Sequence, residues 1–321
     1  MRIQTRTVAL ALGLVSLLAC ESRSPATEVI ARKQGGGGLL VPTEPELPLF
    51  VGDGIGSPTR AVLTPEGRLL VTDARLRMIL RVDPASLQPD QGLQLRTKPT
   101  AVGLLGARIY VGSPDQQTVE IFAARGGRAL GNFGVGAVGY AMAIAVEPTR
   151  QLVYVLDGQS RQVKVFSAAG GLVSSFGGPG PDVSQFLTPT GIAVDTARQE
   201  ILVSDYGSPP TVKAAVKIFG YDGVYKDVIS GAGKCGMISC SGGFSRPQGL
   251  GVTVAGRIFL TDAVLGQVLV YDRATKALLR TVGSYPMLHL PVDAVIGRQG
   301  DLFVVSNLTS RIVRFAGEAA Q

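Results

Sequence analysis

Short apolar runs alternate with turn residues along most of the chain, and the runs fall into a repeating order. A strand, usually led by proline, is followed by a turn. A second apolar strand ends in a small polar residue, and a third is rich in Val and Phe. Leu187-Thr-Pro-Thr-Gly-Ile-Ala-Val-Asp195 leads to Ile201-Leu-Val-Ser-Asp205 and on to Val216-Lys-Ile-Phe219. Phe244–Val252 leads to Ile258–Asp262 and Val268–Tyr271, and Ala143–Glu147 leads to Val153–Asp157 and Val163–Phe166. Weaker copies start at Pro58, Pro99 and Pro291. The second strands end at Asp73, Ser113, Asp157, Asp205, Asp262 and Ser306, giving six repeats.

A period near ~45 residues with about four strands per unit is that of a propeller blade. Each small twisted sheet is apolar on both faces and cannot bury them alone; packing the sheets in a ring buries every face except at the rim. The fold expected is all-β, a six-bladed β-propeller spanning residues 47–321. The last repeat has three strands before the chain ends at Gln321, while Leu47-Pro-Leu-Phe-Val-Gly52 resembles the outer-strand endings Leu172–Gly177 and Leu279–Gly283. Residues 47–51 are therefore expected to pair with 311–315, so that the N-terminal strand closes the last blade and removes an open edge.

The phrase Pro-Thr-Gly-Ile-Ala-Val-Asp, then Leu-Val-Ser-Asp, then Val-Lys-Ile-Phe, resembles the NHL repeat, as do Arg311-Ile-Val-Arg-Phe315 and the Phe-Gly-Gly at 176–178. Ser113 and Ser306 depart from the repeat aspartate, and the Asn-His-Arg that follows it in the family is mostly lost. The resemblance implies a platform for binding protein or RNA. A minority of related propellers are metal-dependent lyases and hydrolases, so a channel lyase or hydrolase is the alternative implied.

Composition narrows the chemistry. Glycine is 42 of 321 residues, against a usual share of about 7%, as many turns require. Tryptophan is absent, which excludes the WD version of the blade, and His289 is the single histidine, which excludes centres built on several. Candidate channel residues follow the leading proline of each repeat. One ring is Thr59, Thr100, Met142, Thr190, Gln248 and Val292; the next is Arg60, Ala101, Ala143, Gly191, Gly249 and Asp293. Whichever ring faces inward supplies at most one charged pair. A calcium site takes about six to eight oxygens and a catalytic zinc three protein ligands, so neither metal nor other cofactor is expected. Arg60 and Asp293 become neighbours on closure; an enzyme would use them as a substrate clamp, but a structural ion pair is the normal form of buried charge. The repeat aspartates are expected to accept turn N–H groups.

The N-terminus reads as an export signal. Arg2 and Arg6 precede an uncharged run from Val8 to Ala19, too short to span a bilayer. The ending Leu17-Leu-Ala-Cys20 resembles the lipobox of bacterial lipoproteins, which implies a signal peptide over 1–19 and lipidation of Cys20. Residues 20–46 are polar, hold Gly35–Gly38 and three prolines, and read as a flexible tether. Without Arg2 and Arg6, the 31 basic residues fall to 29 against 24 acidic. The location expected is the bacterial cell envelope, with lipid the membrane contact and no nucleic-acid partner. Cys235 and Cys240 are expected to form a disulfide in an exported chain.

The fourth repeat is long. Insertions at Tyr206–Ala215 and Val228–Gly243 are expected to emerge on one face of the disc. The other loops between second and third strands bring Arg75, Arg77, Arg161 and Arg311 there, and Lys213 lies in the first insertion. These residues form the candidate binding face, although scattered solvated charge would look the same. The expected function is a non-catalytic, monomeric binding platform, with an envelope protein or an anionic envelope polymer as partner.

Overall fold

The computed structural model describes residues 54–209, 211–231 and 243–317. Blade one is β1 (Pro58–Leu63), β2 (Leu69–Asp73), β3 (Met78–Val82) and β4 (Pro89–Gln94). Blade two is β5 (Ala101–Leu105), β6 (Arg108–Ser113), β7 (Thr118–Ala123) and β8 (Ala129–Phe133). Blade three is β9 (Ala141–Glu147), β10 (Leu152–Asp157), β11 (Gln162–Ser167) and β12 (Leu172–Gly177). Blade four is β13 (Pro189–Asp195), β14 (Glu200–Asp205), β15 (Ala215–Gly220) and β16 (Tyr225–Ser230). Blade five is β17 (Pro247–Val252), β18 (Arg257–Asp262), β19 (Gln267–Asp272) and β20 (Leu278–Val282). Blade six is β21 (Pro291–Ile296), β22 (Leu302–Ser306) and β23 (Arg311–Phe315).

Every blade is an antiparallel meander in chain order. The first strands pack side by side around the axis, and β1 lies against β21, so the ring is closed at its centre. The chain is a six-bladed β-propeller. Second strands are buried along their whole length in blades one and four, and fourth strands are largely exposed. Alternate residues of each second strand feed different inter-blade cores: Val153 and Val155 face blade two, while Tyr154 and Leu156 face blade four. This period-two sorting is what the alternation of a strand buried on both sides demands.

The inner strands of five blades carry a bulge beside their first residue, a proline in four and Ala141 in blade three, in register with the end of the second strand. A bulge leaves a backbone N–H without its ladder partner. A hydroxyl on the second strand takes that role: Arg60 N donates to Thr72 Oγ1 at 2.8 Å and Gly249 N to Thr261 Oγ1 at 2.7 Å. Gly249 also lets the central strands approach, since a Cβ there would stand 2.4 Å from Asp293 Cα.

Blade four's second insertion is shorter than the repeat spacing implies. Val228 to Ser230 remain paired with β15, because Val228 and Ile229 continue the outer strand's register, so the insertion begins after Ser230. Cys20, the pair Cys235 and Cys240, the segment 20–46 expected to be a tether and the residues 47–51 expected to close the last blade all lie outside the described residues. Among the described residues β23 pairs with β22 alone.

Candidate functional site

The ring containing Arg60 and Asp293 reaches the axis in part: four of its six residues line the central cavity, while the residues one further along, Ala61, Val102, Ile144, Ile192, Leu250 and Ala294, line it in all six blades. The cavity has a volume of about 120 Å³, and its polar lining is Arg60 and Asp293, set among small and aliphatic residues. Arg60 fills its mouth. Its Nη2 donates to the carbonyl of Thr190 at 2.5 Å and its Nη1 to the carbonyl of Val292 at 2.5 Å. Thr190 belongs to blade four, directly across a ring of six from blade one, so the guanidinium spans the channel.

Asp293 stands 4.0 Å from Arg60 Nη1 and accepts Ala61 N at 2.9 Å. The two residues are 9% and 8% exposed. Burial pushes the Asp293 carboxyl above its ordinary range, opposed by Arg60 and by the N–H groups of Ala61 and Ala294. Burial likewise lowers the Arg60 guanidinium, with Asp293 opposing. Desolvation outweighs attraction at both groups because the guanidinium fork is committed to carbonyls rather than to the carboxylate. The sequence-derived pair is thus brought together, as a plug whose main bonds are to backbone.

The repeat aspartates are staples. Asp262 accepts N–H groups from Ser245 (2.5 Å), Arg246 (2.9 Å), Val264 (3.0 Å) and Leu265 (2.9 Å). It thereby ties the segment arriving from the previous blade to the turn leaving β18. Asp73, Asp157 and Asp205 do the same in their blades. Where serine replaces aspartate, Ser306 Oγ accepts His289 N at 3.1 Å. Two lysines of the third strands reach these carboxylates, Lys217 to Asp205 at 3.3 Å and Lys164 to Asp157 at 3.9 Å. Their signal was present in Val-Lys-Val-Phe and Val-Lys-Ile-Phe, where a lysine interrupts an apolar strand. Among the described residues no three His, Cys, Asp or Glu side chains converge as a metal site would require.

The turns after the second strands and the links between blades emerge on one face. Arg77 and Arg161 occupy the same turn position, both at φ 54°, with Ser310 at that place in blade six. Arg311 is the first residue of β23 rather than a turn residue. Arg75, Arg77 and Lys213 are exposed; Arg161 and Arg311 are half-buried. The candidate cations do not form one cluster. Arg75, Arg77 and Arg311 lie on adjoining blades one and six, whereas Arg161 and Lys213 lie on blades three and four.

Sequence reasoning missed the apolar part of this face. Leu308 is 70% exposed, Tyr285 68% and Val264 40%. Their loops touch in series. Gly266 abuts Tyr285; the Tyr285 and His289 rings lie 4.5 Å apart; His289 binds Ser306; and Ser310 Oγ donates to Gly56 O at 2.5 Å. Gly56 in turn abuts Arg75 and Leu76. The missed signal was an apolar residue inside polar turns, Ser-Asn-Leu-Thr-Ser at 306–310 and Gly-Ser-Tyr-Pro at 283–286.

The opposite face holds a cleft of about 1100 Å³ between blades one and two, with Leu70, Ile79, Leu93 and Ile109 at its base and Arg68, Arg81 and Arg125 among its walls. Ala124 stands where blade five has Arg273, which pairs with Glu200 of blade four and bridges that wedge.

No protein-family model and no curated protein matches the chain. Solved structures of the same fold do. The chain is similar to a structure titled Kuenenia stuttgartiensis hydrazine synthase, with TM-score 0.60 and 11% identity over 83% of this chain and 97% of that one. It is equally similar to a structure titled nidogen/laminin complex, with TM-score 0.60 and 11% identity over 83% of this chain and 91% of that one.

Proposed function

We propose that this propeller is an NHL-type binding platform, exported and held in the bacterial cell envelope by lipid on Cys20. Its partner is an envelope protein or an anionic envelope polymer. The observation carrying the reading is the exposed basic face: Arg75 and Arg77 make no ion pair among the described residues, and the neighbouring Asp73 is buried and occupied by backbone N–H groups. One propeller of the same fold comes from a nidogen/laminin complex, a precedent for the fold in a protein assembly. A channel enzyme is the weaker alternative, since a ligand there would have to displace Arg60 from two carbonyls.

Two measurements test the reading. Cys20→Ala should release the chain from membranes, because buried acyl chains at ~0.8 kcal/mol per CH₂ dominate attachment. Affinity purification of detergent-solubilised chain should recover a partner that Arg75→Glu/Arg77→Glu loses. Persistent membrane binding of the cysteine variant after a salt wash would remove the anchor. Recovery of the partner unchanged by the arginine variant would remove the basic face.

A further inference from the structure

The binding-platform reading leaves open where on the face a partner sits and what it is made of. The face is chemically uneven. Across blades five, six and one, the turns at 262–267, 283–290, 306–310 and 73–78 carry the cations Arg75 and Arg77. Their two carboxylates, Asp73 and Asp262, are fully buried and bonded to backbone N–H groups. Among the described residues this arc therefore displays no exposed carboxylate. Exposed carboxylates stand outside the arc, Asp115 on the adjoining blade two and Asp182 in the link from blade three to blade four. The arc also presents Leu308, Tyr285 and Val264 to solvent, on loops that touch in series from Gly266 to Arg75.

Resting on that reading, we infer that the arc over blades five, six and one is the docking surface for an acidic protein segment with apolar side chains. Leu308 and Tyr285 are its anchors and Arg75 and Arg77 its charge-selecting rim. Charge without exposed counter-charge selects an anionic partner and speeds its approach. A polyanionic sugar or phosphate polymer would satisfy the arginines but give the apolar side chains nothing to bury against. Exposed Leu and Tyr flanked by Arg is the composition of an anchor set for protein, where aromatic and arginine side chains carry much of the energy.

The test is fluorescence anisotropy on the full chain in detergent with three labelled probes. They are a short glutamate peptide carrying a pair of phenylalanines, the same peptide with both changed to serine, and polyphosphate. The phenylalanine peptide should bind, and the serine version roughly tenfold more weakly. Leu308→Asp and Arg75→Glu, both at exposed turn positions, should each weaken the first probe by about tenfold. Arg161→Glu/Lys213→Glu should change it by less than about twofold. Equal binding of the two peptides, or tighter binding of polyphosphate, overturns the protein-segment assignment. Loss of binding in the Arg161/Lys213 variant but not in the arc variants overturns the arc while leaving the platform reading standing. No binding of any probe by a chain that still recovers its partner also overturns the arc alone; failure of both measurements removes the platform as well.

Discussion

Arg60 of blade one donates a hydrogen bond to the carbonyl of Thr190 in blade four, across the full width of the channel. In a ring whose blades otherwise contact their immediate neighbours, this side chain links opposite sides. Its charge is balanced by Asp293, held nearby at 4.0 Å.

Removing Arg60 leaves Asp293 buried without a counter-charge. Arg60→Met should cost about 3–5 kcal/mol at neutral pH. Asp293 already has a raised carboxyl pKa, and loss of Arg60 removes one of the influences lowering it. An acid with a raised folded pKa contributes stability that is fully present below its unfolded pKa and is lost as pH rises through the folded one. The deficit of Arg60→Met should therefore shrink as pH falls from about 7 toward about 4. Arg60→Met/Asp293→Asn, which removes the charge but keeps an acceptor for Ala61 N, should recover most of the loss. Denaturant titrations across pH read this directly, and a deficit independent of pH would contradict it.

The staples give a second prediction. Asp262→Ala orphans up to four N–H groups, each worth roughly 1–3 kcal/mol when buried without a partner. Local relaxation lets water reach some of them, so about 3 kcal/mol is expected. Asp262→Asn keeps one oxygen in place and should cost about half as much. Equal losses from Ala and Asn would mean that the carboxylate's charge, rather than its acceptor geometry, carries the staple.

Much of this was legible in the sequence. Six repeats and their strand order follow from spacing, because a blade imposes the same alternation each time, and ring closure makes Arg60 and Asp293 neighbours; spacing alone leaves open which ring faces the channel, and the ring that lines the cavity in all six blades is the one after theirs. The aspartate staple follows from Thr-Asp and Ser-Asp at the strand ends. What sequence could not give was the reach of Arg60. Which backbone carbonyl it meets depends on the ring's diameter and on bulges that no local pattern counts. The exposed apolar residues were hidden for a related reason: Leu308 and Tyr285 look like core residues in isolation, and only the turn geometry exposes them. Arg311 was placed one residue off because Ser310, not Arg311, takes the left-handed turn position.

A third prediction concerns the join between blades four and five. Arg273 grips both oxygens of Glu200 at 2.8 and 3.0 Å, and also meets Asp227 at 3.3 Å. Glu200 is 7% and Arg273 9% exposed, so breaking the pair leaves each buried charge with only its more exposed second partner, Lys226 for Glu200 and Asp227 for Arg273. Glu200→Gln and Arg273→Met should each cost about 3 kcal/mol, and the double variant markedly less than their sum. A coupling of about 1–3 kcal/mol from a double-mutant cycle is expected. Additive losses would show that the two residues act separately.

The last prediction is how the rim closes. Five blades have four described strands and blade six has three. Ile55 is buried in the core between blades six and one. It precedes its blade's leading proline by three residues, just as Phe186 and Phe244 precede Pro189 and Pro247, and it fills the corresponding place. Asn307 Nδ2 donates to Pro58 O at 2.8 Å and Ser310 Oγ to Gly56 O, tying this lead-in to blade six. In every other blade the segment ahead of that position is the outer strand of the preceding blade. Residues 47–51 should therefore supply blade six's fourth strand against Arg311–Phe315. Deleting 47–51 should lower stability by several kcal/mol, because it exposes both the β23 edge and the apolar face beneath it. Deleting 21–36 should leave stability unchanged. Amide hydrogen exchange adds a local readout. Amides of β23 facing the missing strand should lose protection in the 47–51 deletion, while those bonded to β22 keep theirs. A 47–51 deletion as stable as the parent chain, with β23 protection intact, would mean that the sixth blade closes in another way.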